Sequence, residues 1–204
     1  AGLIERIRKE QKNLHIAEMK LLQAQINPHF LYNTLDSIVW MAEDGDNRKV
    51  VEMTSDLSDF FRTVLSGGSD FIPIEEEKRH IESYLKIQNF RYKNQFSYDF
   101  QIEEDCLQYY CNKITLQPII ENAIYHGLDR MVDEGHIQIR IYSEGEDVIF
   151  RVEDNGVGMS EEQCRSILHK EPGDNSGIGI KNVNDRIKIY FGKEYGLSIE
   201  SELD

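Results

Sequence analysis

The fold is decided by the stretch Glu121-Asn122-Ala123-Ile124-Tyr125-His126-Gly127. Apolar residues in and before it recur at helical spacing and predict a helix over residues 114–126, with the stripe Leu116, Ile119, Ile120, Ala123 and Ile124. Asn122 and His126 are four residues apart and therefore share another face, beside Glu121. Such side chains can hold a hydrated cation and polarise a phosphate. Taken alone, the motif fits a polar helix face closed by Gly127 better.

Outward from this helix, a second motif follows a predicted strand as Asp154-Asn155-Gly156-Val157-Gly158-Met159. Successive side chains of a strand point to opposite faces. Asp154, the first residue of the motif, therefore lies on the same face as the apolar Val148, Phe150 and Val152. A carboxylate there can accept a hydrogen bond from the exocyclic amine of adenine, and the two glycines let the backbone approach a flat base. The alternative for this motif is a tight turn after a strand.

A third motif opens a predicted helix as Gly177-Ile178-Gly179-Ile180-Lys181-Asn182-Val183. A glycine-rich turn at a helix N-terminus presents free backbone amides at the positive end of the helix dipole, which suits a phosphate. The alternative is an ordinary helix N-terminus with a flexible entrance.

Heptad spacing in the N-terminal part predicts one long helix over residues 3–42. Its apolar seam consists of Leu14, Ala17, Leu21, Ala24, Pro28, Leu31, Leu35 and Ile38. Turn residues at 43–47 end it, and a second helix is predicted over residues 48–65 with Val50, Met53, Leu57, Phe60 and Val64 in the same rhythm. Because two helices cannot bury a two-sided core alone, a homodimer that forms a four-helix bundle is the simplest solution.

Pro28 cannot donate a hydrogen bond to the carbonyl of Ala24, so we expect a kink just before His29. His29 follows one position off the seam and should point to solvent. A histidine held there can offer a ring nitrogen to an incoming phosphoryl group, and the alternative is an ordinary surface histidine.

The rest of the chain predicts helices mixed with antiparallel strands, which is an α+β sandwich. Further helices are predicted over residues 73–92, 160–169 and 178–190. Strands are predicted near residues 96–102, 137–141, 148–152 and 197–201, the middle two as a hairpin about Gly145. We place the domain boundary near residues 67–72, with 1–70 as a helical domain and 71–204 as a second domain.

The composition limits the possible partners. The 204 residues carry a net charge of −14 and no basic patch, so we expect no nucleic-acid binding. A phosphate site in such a chain needs a metal ion or backbone amides. The sequence contains no run of about 18 apolar residues, so it predicts no membrane-spanning helix.

The first motif lies on a helix, the second at a turn after a strand, and the third at a loop that opens a helix. In this order and context they resemble the N, G1 and G2 boxes of the GHKL ATP-binding fold, over residues 95–201. Residues 25–35 resemble the phosphoacceptor box of LytS/YesM-type sensor histidine kinases, and residues 84–92 resemble that family's linker segment. The resemblance implies a protein histidine kinase of a two-component system, with residues 160–176 as a mobile lid over ATP. It would phosphorylate itself and then pass the phosphoryl group to an Asp of a response regulator.

The resemblance also implies a role for each motif residue. His29 would be phosphorylated, Asn122 would ligate Mg²⁺, and Glu121 would orient or deprotonate groups near the reacting phosphate. The other expected ATP contacts are His126 near the phosphates, Asp154 on adenine, Gly156 and Gly158 around the base, Gly177 and Gly179 at the lid hinge, and Asn182 in support.

The implied partners are a second copy of the chain and a response-regulator receiver domain. The resemblance further implies a cytoplasmic portion that would reach the membrane only through an N-terminal sensor region outside this sequence. Two departures from the family pattern stand out. Phe30 follows His29 where many histidine kinases have an acidic base, so the base is unassigned. The family pattern also implies a further strand and hairpin, whereas this sequence ends at Asp204. A nucleotide-binding dimerisation module that acts as a relay or phosphatase stays open as an alternative. A GHKL ATPase of the Hsp90 or MutL kind is disfavoured, since those proteins need no histidine such as His29 in a heptad helix.

Overall fold

The computed structural model describes residues 28–65, 70–93, 95–128, 134–169 and 178–202. They form two compact units, 28–65 and 70–202. The part of the first predicted helix before Pro28, together with the kink expected there, lies outside the described residues. None of the helices over the described ranges is long and apolar enough to cross a membrane.

The helices are α1 (Pro28–Glu43), α2 (Asn47–Leu65), α3 (Ile74–Arg91), α4 (Gln117–Asn122), α5 (Glu161–His169) and α6 (Ile178–Phe191). The strands are β1 (Phe71–Pro73), β2 (Phe96–Ile102), β3 (Tyr110–Asn112), β4 (Gly135–Glu144) and β5 (Asp147–Asp154). A 3₁₀ turn at Glu104–Gln108 precedes β3, and a π-helical turn at Ala123–Leu128 continues α4.

In the first unit, α1 and α2 pack side by side around aromatic rings. The Phe30 and Phe60 ring centroids are 5.0 Å apart, and both side chains are buried. On α2, the predicted apolar positions Met53, Leu57 and Val64 are buried as well. The second predicted helix is therefore confirmed in both its extent and its buried face.

The stripe of α1 that faces α2 is not the predicted seam. Its buried residues are Phe30, Thr34 and Met41, whereas Pro28 and Leu35 of the seam are exposed. The reason is geometric: in one hairpin each helix has one neighbour, so only the stripe that faces this neighbour is covered. The predicted heptad seam therefore includes residues, such as Pro28 and Leu35, that remain exposed in this hairpin.

In the second unit, β2, β4 and β5 form a sheet in the order β2-β4-β5. β4 and β5 are antiparallel and joined at Gly145, whose φ of +65° suits a glycine turn, so the predicted hairpin is confirmed. β2 pairs with β4 in parallel, contrary to the expectation of antiparallel strands throughout. The long connection between β2 and β4 contains α4, and a crossover of this kind permits parallel pairing.

The fully buried face of the sheet comes from β4, through Ile137, Ile139 and Ile141. The register pairs Ile137 with Asp154 and Ile139 with Val152, so Asp154 lies on the apolar face, as the alternation predicted. The helix predicted over residues 73–92 is confirmed as α3, which packs on β1, β2 and β3 of this same unit.

Two predicted elements differ from the structure. The helix predicted over residues 114–126 is α-helical only over Gln117–Asn122 and then widens into the π turn. The strand predicted over residues 197–201 pairs with no strand of the described residues. The Leu197 amide donates to Oδ1 of Asn184 at 3.0 Å, and Ser201 Oγ accepts from the Met159 amide at 2.9 Å, so this segment is held by side-chain bonds.

Candidate functional site

The first and second motifs meet through two glycines. A Cβ built on Gly156 would lie 2.7 Å from the carbonyl carbon of Gly127 and closer still to its Cα, and one built on Gly127 would lie 2.8 Å from Oδ1 of Asp154. The Val157 amide also donates to the Gly127 carbonyl at 3.3 Å. Only glycine permits this approach of two backbones, so the end of the π turn lies directly against the turn after β5.

Asp154 lies beside this contact. Its Oδ1 accepts a hydrogen bond from the Gly156 amide at 3.0 Å. Although the residue as a whole is exposed, its carboxylate is partly desolvated against the glycine backbone, and this burial raises the pKa of Asp154 while the Gly156 amide opposes the rise. A carboxylate with a raised pKa and spare acceptor capacity fits a ligand that brings a hydrogen-bond donor.

Asn155 fixes the turn that carries these glycines. Its Oδ1 accepts from the His136 amide at 2.6 Å, its Nδ2 donates to the Glu134 carbonyl at 3.2 Å, and its own amide donates to the His136 carbonyl at 3.2 Å. Sequence reasoning gave Asn155 no role, although its place between Asp154 and Gly156 is a signal for a side chain that braces a turn. Gly158 has a φ of +73°, which explains its glycine.

The third motif makes fewer contacts among the described residues than the first two motifs do. A Cβ on Gly179 would lie 3.1 Å from Cβ of Pro118, so the start of α6 packs on α4. Asn182 is exposed on α6, and Gly177 lies outside the described residues. Within the segment expected as a lid, residues 161–169 form α5, and residues 170–177 lie outside the described residues.

Glu121 is held from two sides at the end of α4. Gln117 Nε2 donates to its Oε1 at 2.9 Å, and the Tyr84 hydroxyl donates a second hydrogen bond. Burial raises the pKa of Glu121, and the two hydrogen bonds counteract that rise. Asn122 is half-buried beside it, whereas the side chain of His126 lies outside the described side chains.

His29 lies in the other unit, near the start of α1, and its side chain is exposed as expected. The neighbouring Phe30 packs into the helix pair and thereby fixes the direction of His29. Asn33, one turn later, places Nδ2 at 3.1 Å from Nε2 and 3.3 Å from Nδ1 of the imidazole. Asn33 had no predicted role, although an i, i+4 pair was readable from the sequence.

Comparison with known proteins adds two family matches. The family described as "Histidine kinase" matches residues 17–96, and the family described as "Histidine kinase-, DNA gyrase B-, and HSP90-like ATPase" matches residues 111–203. A solved structure, the Acinetobacter baumannii histidine kinase AdeS, aligns with a TM-score of 0.44 and 16% identity over 83% of this chain and 82% of that one. This likeness is too low to carry an argument.

Curated relatives match over nearly the whole chain. The sensor histidine kinase YesM of Bacillus subtilis (strain 168) is 36% identical over 98% of this chain, and the sensor histidine kinase BtsS of Escherichia coli (strain K12) is 33% identical over 100% of it. The sensor protein LytS of Bacillus cereus is 33% identical over 96%. The chain spans about a third of the length of these relatives, at 34%, 34% and 33%. From the two family matches and these relatives, we conclude that the chain belongs to the sensor histidine kinase family of YesM, BtsS and LytS.

Proposed function

We propose that the protein is an ATP-dependent histidine kinase that phosphorylates itself on His29 and then donates the phosphoryl group to an Asp of a response regulator. The observation that carries the proposal is the apposition of Gly127 and Gly156 beside the Asp154 carboxylate. It supplies a flat backbone surface and a hydrogen-bond acceptor together, which is what an adenine ring with its exocyclic amine requires.

Asp154 accepts from the adenine amine in this proposal. Guanine carries a carbonyl at the same position and would leave the partly desolvated carboxylate facing another acceptor, so the pocket selects adenine. Gly156 and Gly158 shape the floor and the turn around the base. Gly177 and Gly179 serve as the lid hinge beside the phosphates, with Asn182 in support.

The triphosphate end of the site is assigned to the first motif. An amide oxygen is a hard ligand that suits Mg²⁺, and the half-buried Asn122 offers one next to the Glu121 carboxylate, so the donor set fits a single protein ligand with water and phosphate oxygens in the other positions. When bound, Mg²⁺ would supply charge neutralisation of the phosphate oxygens. Glu121 orients or deprotonates groups near the reacting phosphate, and His126 lies near the phosphates.

His29 is the nucleophile. A ring nitrogen attacks the γ-phosphorus of ATP in line, an N–P bond forms, and the bond from phosphorus to the bridging oxygen breaks with ADP as the leaving group. The packed Phe30 keeps the ring turned outward, and the Asn33 amide restricts its rotation. Positioning of this kind contributes much of the rate in phosphoryl transfer, because the protein has little covalent work to do.

The proposal also includes a homodimer and a membrane-attached sensor as the source of the signal. Several apolar side chains of α1 are exposed in the single chain: Tyr32 (66%), Leu35 (44%), Val39 (53%) and Trp40 (70%). Covering them with a second copy would complete a four-helix bundle. We assign residues 1–70 to dimerisation and phosphoacceptance and residues 71–204 to ATP binding.

The proposal is tested by incubation with γ-labelled ATP and Mg²⁺. We expect acid-labile label on the wild-type chain and on His15→Gln, and none on His29→Gln. Label that persists on His29→Gln would overturn the assignment of the phosphoacceptor. No label on any of the three proteins, with ATP binding intact, would favour a nucleotide-binding relay instead.

A further inference from the structure

Residues 84–92 resemble a linker segment, yet nothing in the proposed reaction uses them. They form the second half of α3, and α3 packs inside the ATP-binding unit. Tyr84 is fully buried there, and its hydroxyl donates to the carboxylate of Glu121, which lies 37 residues further along the chain. A residue of this segment therefore bonds directly to a residue that the proposed reaction needs.

The direction of the Gln88 hydrogen bonds to Tyr84 and Tyr125 follows from a neighbouring arginine. Arg91 Nη1 can only donate, so the oxygen of the Gln88 amide faces it, at 2.7 Å. The Nε2 of Gln88 then donates to the Tyr84 hydroxyl at 2.6 Å and to the Tyr125 hydroxyl at 3.0 Å. The Tyr84 hydroxyl also bonds Tyr125, and because the Glu121 carboxylate can only accept, the hydrogen of the bond between Tyr84 and Glu121 comes from Tyr84.

The second donor to Glu121 is fixed in the same way. Gln117 gives its Nε2 to the carboxylate, which can only accept, so its Oε1 faces Nε2 of the buried His80 at 2.8 Å. The hydrogen of that bond must come from His80. His80 belongs to α3, so α3 determines the orientation of both donors.

α3 also fixes the loop that leads into α4. The fully buried carboxylate of Glu77 accepts from the amides of Ile114 at 2.9 Å, Thr115 at 2.7 Å and Leu116 at 2.8 Å. One helix thus sets the start of α4 through Glu77 and the carboxylate near its end through Tyr84. Hydrogen bonds from Tyr84 and Gln117, each oriented by α3, therefore restrict the Glu121 carboxylate to one rotamer.

We infer that Tyr84 and Gln117 are positioning residues that hold the Glu121 carboxylate in its reactive orientation. The inference rests on the proposed function of Glu121 and adds two residues to which that proposal assigns no part. It also explains why residues 84–92 carry polar groups on a buried helix face. A purely structural network would stabilise the fold equally well, so the test must separate the two roles.

The test is a double-mutant cycle on the rate of His29 phosphorylation, with the KM for ATP measured in parallel. We expect Tyr84→Phe and Gln117→Met each to lower the rate about tenfold, the size of a lost hydrogen bond to a charged group, with the KM for ATP nearly unchanged. In the Glu121→Gln background, adding Tyr84→Phe should cause no further loss, because the two residues act as a unit. Tyr98→Phe, which removes a hydroxyl from β2, is the matched control and should keep the wild-type rate.

Losses that add fully in the double mutant would overturn the inference, and so would a Tyr84→Phe protein that reacts at the wild-type rate. A raised KM with an unchanged rate would also overturn it, since that pattern indicates a general loosening of the ATP site. A wild-type chain that gains no label on His29 would refute the proposed function and the inference together, whereas labelled wild type with additive losses would refute the inference alone.

Discussion

The position of Asp154 was predictable from the sequence, whereas its contact with Gly127 is visible only in the structure. Strand alternation placed its carboxylate at the end of an apolar face, and the register with Ile137 confirms this. The sequence could not predict that Gly127, 27 residues earlier, lies against its Oδ1, because that contact depends on the π turn. The close approach explains why a small residue stands at the end of the first motif.

The first prediction concerns adenine recognition. Asp154→Asn replaces a pure acceptor by an amide whose NH₂ group can face the adenine amine, so we expect ATP binding about ten- to a hundredfold weaker. His29→Gln should bind ATP like the wild type. Calorimetric titration of the three proteins measures this, and equal affinities in all three would contradict the role of Asp154.

The pH dependence of binding gives a second prediction. Burial raises the pKa of Asp154 in the folded protein. At high pH, where Asp154 is ionised, this burial lowers the free energy of unfolding. The destabilisation is lost as the pH falls through the raised pKa. Protonation also weakens the acceptor for adenine, because one carboxyl oxygen then carries a hydrogen while Oδ1 already accepts from the Gly156 amide. We therefore expect ATP affinity to fall as the pH is lowered through the raised pKa, and Asp154→Asn to lack that part of the dependence. Parallel pH profiles for both proteins would refute the prediction.

A third prediction tests the glycine contact. Gly156→Ala places a methyl group against the Gly127 backbone, so the two turns must separate, at a cost of about 1–3 kcal/mol in the free energy of unfolding and with loss of ATP binding. Gly145→Asn is the control, because that turn has open space and a positive φ that asparagine tolerates. Urea unfolding and ATP titration of both variants measure the difference, and wild-type ATP affinity in Gly156→Ala would contradict it.

At the scale of elements, structure that depends on local sequence periodicity was predictable, and structure that depends on distant parts of the chain was not. α2 and α3 were predictable because their apolar periodicity is local. The parallel pairing of β2 with β4 was not, since pairing direction depends on the path of the chain between the strands. The segment 197–201 alternates like a strand, yet its Leu197 amide donates to the side chain of Asn184, which periodicity cannot reveal.

α3 leads to a fourth prediction, on stability. Glu77→Gln replaces a carboxylate that accepts three backbone hydrogen bonds by an amide that also presents donors to them, so we expect the free energy of unfolding to fall by about 2–4 kcal/mol. Glu75→Gln alters an exposed side chain of the same helix and should change it by less than about 0.5 kcal/mol. Urea denaturation compares the two, and an equal effect would show that the buried carboxylate contributes nothing particular.

At the scale of the whole molecule, the structural units and the family matches divide the chain differently. The histidine kinase match ends at residue 96, whereas α3 packs with the ATP-binding unit that begins near residue 70. The helix assigned to a linker by resemblance is therefore part of the second unit's core. The heptad pattern alone could not separate residues that pack within one chain from those that stay exposed in it.

The fifth prediction addresses assembly. Val39→Glu puts a charge into the exposed apolar face of α1, where a second copy would have to bury it, so we expect the homodimer to dissociate into monomers. Asp44→Asn, in the exposed turn between α1 and α2, is the control and should leave the dimer intact. Sedimentation equilibrium measures both, and a monomeric wild-type chain or a dimeric Val39→Glu protein would refute the assigned face.

The central claim is that ATP bound beside Asp154 phosphorylates His29. The most direct measurement is mass spectrometry of peptides from the ATP-treated chain, kept at alkaline pH so that phosphohistidine survives. We predict a phosphoryl group on the peptide that contains His29 in the wild type, and its absence in Asp154→Ala under the same conditions. A phosphoryl group on another residue, or an equally phosphorylated His29 in Asp154→Ala, would contradict the account.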